Sequence, residues 1–247
     1  MKNLYKNSLV IILLLLTWQL FYFVSDSENF LLSSPGKIIQ VLFNLVYTGE
    51  VFNHIGNSLQ RVLVGFGLAT VLGVFLGLLL GDNRKVGEYF LPIIEILRPI
   101  PPIAWIPIAI LIFGLGNTSA YFVVFLGSFF PIFTNTYFGA ASMPQIYRNV
   151  QASFELSRFV YFKDILFKYS LPHIMAGLKI GIGLAWVCVI AAEMIGAQSG
   201  LGYFIQINRL LLHTDKMFAG IVLIGLLGFF LNMSIKKVEK VVIKWKE

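Results

Sequence analysis

Six runs of apolar residues constrain this chain more than anything else in it: residues 8–24, 59–81, 88–113, 118–138, 173–196 and 217–235. A bilayer crossing takes about 20 such residues, within a range of roughly 17–25. A segment in lipid must also satisfy its own backbone hydrogen bonds, which a helix does. The expectation is an all-α membrane protein with six transmembrane helices, residues 1–247 forming a single transmembrane domain. Of the 247 residues, 57% are hydrophobic and 13% charged; a soluble domain carries about 25% charged residues.

The basic residues sort by side. With the N-terminus in the cytoplasm, Lys2, Lys6, Arg84, Lys85, Arg148, Arg158, Lys163, Lys168, Lys236, Lys237, Lys240, Lys244 and Lys246 all fall inside. Lys37, Arg61, Arg209 and Lys216 fall outside or near outer span ends. Lysine and arginine concentrate in cytoplasmic loops, so the reading is N-in/C-in. The first run is long and lacks a small-residue cleavage site, so it reads as an uncleaved span. The net charge of +7 belongs to these flanks and forms no nucleic-acid patch.

The chemistry of an enzyme is missing. There is no phosphate-binding loop, no H-E-x-x-H and no G-x-S-x-G. His54, His173 and His213 stand far apart at span ends, and Cys188 is alone in an apolar run. ATP hydrolysis and metal binding are not expected of this chain.

Small residues mark two helix faces. Gly65, Ala69, Gly73, Gly77 and Gly81 recur at every fourth position, as do Gly177, Gly181 and Ala185. Such a stripe lets another helix approach closely, within the chain or at a subunit interface. The third run is interrupted. In "RPIPPIAWIPIAILIFGLG", residues 98–116, stand Pro99, Pro101, Pro102 and Pro107, with Arg98 at the head. Broken helices at membrane depth are tolerated where they line a cavity, so these residues are candidates for a translocation path or gate. Arg98 either attracts an anion or pairs with Glu95, three residues earlier. Glu193, at the outer end of the fifth run, is a further path or gate candidate, a helix cap or a contact to another helix.

Two connections are long. Residues 25–58 carry Ile38, Val41, Leu42 and Leu45 at helical spacing, which predicts a short helix at the outer interface. Residues 139–172 mix apolar and basic positions, predicting an amphipathic helix that lies on lipid or docks in a partner's groove.

That second segment, "NVQASFELSRFVYFKDILFKYSLPHIMAGLKIG", resembles the EAA loop of permease subunits in bacterial ABC importers. The fuller likeness is to their nitrate/sulfonate/taurine branch, through "LLSSPGKIIQVL", "LRPIPPIAWIPIAILIFGLG", "FPIFTNTYFGA" and "GLAWVCVIAAEMIGAQSGLGYFI", together spanning residues 31 to about 207. The motif is degenerate. Counting back from Leu171 and Pro172 puts Ser153-Phe154-Glu155 at E-A-A and Phe159 at its glycine; matching residue types gives Gln151-Ala152-Ser153 and Ser157.

The resemblance implies an ATPase-coupling loop from Val150 through Val160 to Leu171 and Pro172. It implies a second permease copy, cytoplasmic ATPase subunits that hold the ATP and magnesium, and an extracytoplasmic binding protein, all at the bacterial inner membrane. Nitrate, sulfonates, taurine and vitamin precursors such as pyrimidines or flavins are the substrates it leaves open. An autonomous channel or secondary transporter is the alternative, which copurification with an ATPase would exclude.

Overall fold

The computed structural model describes residues 13, 16–20, 22 and 33–243, apart from the side chains of Arg84 and Ala152; every regular element among them is helical. Helix α1 (Pro35–Tyr47) begins at Ser34, whose Oγ accepts from the Lys37 amide at 3.2 Å. Pro35 suits the first turn, where no donor is needed. Its buried Ile38 and Leu45 belong to the largest apolar core.

Among the described residues, four helices are long and apolar enough to cross a membrane: α2 (Glu50–Asp82) and, further along, Asn117–Ala141, Arg158–Gly196 and Thr214–Val242. Between the first two, the run expected to cross once over 88–113 is instead α3 (Arg84–Leu97), a 3-10 turn (Pro102–Trp105) and α4 (Ile106–Phe113). The segments Lys85–Leu97 and Pro102–Phe113 meet at 83°, and counting the pair as one crossing gives five. Proline disfavours helical backbone in the residue before it. Pro101 precedes Pro102 and sits at φ −58°, ψ 128°, which is where the chain turns. The expected first span, 8–24, lies largely outside the described residues; residues 13, 16–20 and 22 are helical, and the Trp18 ring lies 5.7 Å from that of Phe218.

Helix α5 (Asn117–Ala141) is the spine. The small face of α2 lies on it: a Cβ on Gly65 would meet Val124 at 2.6 Å, on Gly77 Thr136 at 2.7 Å and on Gly81 Ala140 at 2.7 Å. Its other side takes α7 (Arg158–Gly196, following α6, Gln145–Ser153), where a Cβ on Gly177 would meet the Ile132 backbone at 3.0 Å. Both small faces therefore pack within the chain. The hydroxyls buried at this junction bond back to their own helix, Ser128 to Val124 O at 2.8 Å and Thr136 to Ile132 O at 2.7 Å. These two hydroxyls therefore keep a partner where the backbones approach.

Helix α7 starts far earlier than the fifth apolar run. Residues 158–172, expected in the cytoplasmic connection, are continuous with the span and include a π-helical stretch, Tyr161–Leu166. After it, α8 (Leu201–Leu210) leads into α9 (Thr214–Val242).

Candidate functional site

Two polar assemblies stand at opposite ends of the α2–α5–α7 core. The first is built on the short helix α6. It ends at Ser153, and residues 154–157 turn the chain. Glu155 adopts φ 47°, a left-handed conformation uncommon outside glycine. Ser157 then caps the next helix, its Oγ accepting from the Val160 amide at 3.4 Å.

The left-handed residue thus stands two positions before Ser157, while Phe159 lies inside the following helix. The register with Gln151, Ala152 and Ser153 at E-A-A would put its glycine position at this capping serine, Ser157. That register leaves two residues too many before Leu171 and Pro172. The π-helical stretch lies in that interval, and its i→i+5 bonding holds more residues per turn than an α-helix. Phe154 and Phe159 are largely exposed, Val160 is partly exposed and Leu171 is buried.

This turn is fastened to the C-terminal end of α2. The Arg148 guanidinium donates to Asp82 O at 2.8 Å and lies 3.8 Å from the Asp82 carboxylate. It thereby meets the carbonyl end of the α2 dipole. The Tyr161 hydroxyl donates to the Asp82 carboxylate at 2.7 Å. Helix α6, the start of α7 and the end of α2 converge on one aspartate. Sequence reading did not nominate Asp82, Arg148 or Tyr161, since nothing local to any of them reports the other two.

The second assembly is buried at the other end. Arg61 of α2 and Glu193 of α7 form an ion pair at 2.8 Å, their side chains 3% and 0% exposed. Ser58 Oγ lies 2.8 and 2.9 Å from the two carboxylate oxygens, and the Gly202 amide donates to one of them at 2.9 Å. Arg61 also donates to Asn117 Oδ1, Ser199 O and Ser199 Oγ at 2.9, 2.6 and 2.8 Å. Gly200 sits at φ 106° with no room for a side chain against Glu193. The pair pins α2, the start of α5, the end of α7 and the start of α8 together. Glu193 therefore contacts other elements rather than open space. Arg61, read from sequence only as a loop-side charge, is its partner; an arginine within an apolar helix is the signal that could have found it.

The proline-rich candidates lie apart from both. Arg98 and Glu95 are each exposed, and no ion pair joins them among the described residues. Pro99 and Pro101 stand exposed at the bend, Pro102 opens the 3-10 turn and Pro107 falls in the first turn of α4. Among the described residues no group of His, Cys, Asp and Glu is placed to hold a metal. The arrangement is that of a helix bundle with a bent pair and polar ties at its two ends.

Comparison with known proteins agrees. Residues 69–244 match the family described as binding-protein-dependent transport system inner membrane component. The nitrate import permease protein NrtB of Synechocystis sp. is 36% identical over 96% of this chain and 89% of its own length. A Bacillus subtilis protein named as an aliphatic sulfonates transport permease, SsuC, is 31% identical over 98% and 87%. An inward-facing structure of the MetNI methionine ABC transporter superposes with a TM-score of 0.67 at 18% identity, covering 78% of this chain and 95% of that one; that likeness speaks for the fold. The chain belongs to the family of binding-protein-dependent transport system inner membrane components. It is the permease subunit of an ABC importer.

Proposed function

We propose that this chain, as one permease domain with six spans and both termini in the cytoplasm of a bacterial cell, pairs with a second permease copy to form the import path for a small oxyanion of the nitrate or sulfonate kind. ATP and magnesium are held by separate ATPase subunits that grip the α6 turn, and an extracytoplasmic binding protein delivers the substrate. The observation that carries this reading is the convergence of α6, α2 and α7 on Asp82. A push on α6 is thereby delivered to the ends of two long helices. Relatives named for nitrate and aliphatic sulfonates support the substrate class. An exposed Arg98 with no ion-pair partner among the described residues, beside the 83° bend, supports an anion-attracting stretch of the path.

The test joins topology, contact and substrate. Reporters after residues 84, 160 and 245 should read as cytoplasmic, and after 50 and 212 as external. Cysteines between Val150 and Val160 should crosslink to the ATPase. Crosslinks confined to the lysines near the C-terminus, or an external reporter at 160, would overturn the coupling assignment. Arg98→Gln should lower nitrate or sulfonate uptake while the complex still assembles; unchanged uptake would remove Arg98 from the path.

A further inference from the structure

We propose that the groove between the inner end of α2 and the first turns of α7 holds an anionic glycerophospholipid of the cytoplasmic leaflet. The leaflet assignment rests on the N-in orientation above; the site itself does not. Two cavities of about 630 and 480 Å³ share Phe75, Leu78 and Phe167 as walls, so they form one continuous groove. Each has a volume typical of small-molecule sites, ~300–1,000 Å³. The shared walls are hydrocarbon and belong to membrane-crossing helices. An occupant lying along them must be apolar over most of its length.

One end of the groove differs. Arg158 and Lys163 line it, and among the described residues neither makes an ion pair or a side-chain hydrogen bond. The carboxylate next in sequence, Asp164, is engaged by Lys168 at 2.8 Å. Two cations that no carboxylate contacts in an ion pair among the described residues, at the mouth of an apolar groove, complement a molecule with a long apolar tail and an anionic head. An acyl chain laid against Phe75 and Phe167 brings its phosphate to the level where these side chains emerge. The negative surface of the cytoplasmic leaflet supplies such molecules in high local abundance. A protein segment would need a carboxylate at the same place and an apolar stretch behind it.

The experiment uses the purified, delipidated transporter with its ATPase subunits. It is titrated with phosphatidylglycerol or with phosphatidylcholine of identical tails, and bound lipid is counted by native mass spectrometry. Phosphatidylglycerol should bind about thirtyfold more tightly, the preference expected of two cations against an anionic headgroup. Arg158→Gln with Lys163→Gln, both exposed positions, should reduce that preference to near unity. Leu79→Trp, which fills the groove from its wall, should lose both lipids. Equal binding of the two lipids, or a preference that survives the double replacement, overturns the proposal. So does efficient crosslinking of a cysteine at 79 to its counterpart in native membranes, which would give the groove to a second copy. Because the readout is lipid binding, an external reporter at residue 160 would sink the transport orientation while leaving this result standing.

Discussion

Removing one partner of the Arg61–Glu193 pair should be among the most destabilising single changes in the protein. With Arg61→Ala, the Glu193 carboxylate stays buried and keeps only Ser58 and the Gly202 amide. Asn117 and Ser199 lose their donor as well. Breaking a buried ion pair from one side costs about 3–5 kcal/mol. For a chain of this size each kcal/mol moves the thermal midpoint by about 2–4 °C, so a fall of about 6–20 °C is expected. Glu193→Gln should also destabilise, by less, because its amide oxygen can still accept from Gly202 and Ser58. Combining Arg61→Gln with Glu193→Gln removes both charges and leaves polar groups in place, so the double variant should recover well above the sum of the single losses. The assay is the thermal midpoint of the detergent-purified complex, followed by size-exclusion chromatography after heating. Strict additivity, or an Arg61→Ala midpoint within 2 °C of the parent, would refute the idea that this pair holds the ends of these helices together.

Three further outcomes follow from the packing and the turn. Gly77→Leu should overpack the α2–α5 contact, where a Cβ meets Thr136 at 2.7 Å and Phe133 O at 3.0 Å, and cost at least ~1–3 kcal/mol; Gly67→Leu, with nothing within 4 Å, serves as the control and should purify normally. Glu155→Gly should relieve the left-handed strain and stabilise the turn by about 1 kcal/mol, whereas Ser157→Ala should lose about as much through the missing cap; thermal midpoints that move the other way would contradict the turn geometry. Arg148→Ala should leave ATP hydrolysis running in proteoliposomes while uptake per ATP falls severalfold, because α6 is no longer tied to Asp82; unchanged stoichiometry would show that the tie transmits nothing.

Much of the helical character was legible in local pattern. Apolar length marks the four long helices over 59–81, 118–138, 173–196 and 217–235 as candidate spans, since a helix that satisfies its own backbone is the economical way through lipid. The four-residue spacing of Gly65, Ala69, Gly73, Gly77 and Gly81 gives a face of minimal bulk, since local periodicity reports directly on one helix. The proline cluster gives a break, because missing donors and pre-proline sterics act within a few residues. Periodicity does not say which helix a face meets. Only the tertiary structure put the small faces of α2 and α7 on α5, set the bend at 83° and brought Arg61 to Glu193 across 132 positions. It also placed a left-handed residue at Glu155, a helix cap at Ser157 and a π-helical stretch at Tyr161–Leu166. Those outcomes depend on the balance between burying charge in pairs and packing backbones at close range. That balance is struck among residues far apart in the chain, where a linear pattern carries no record of the partner.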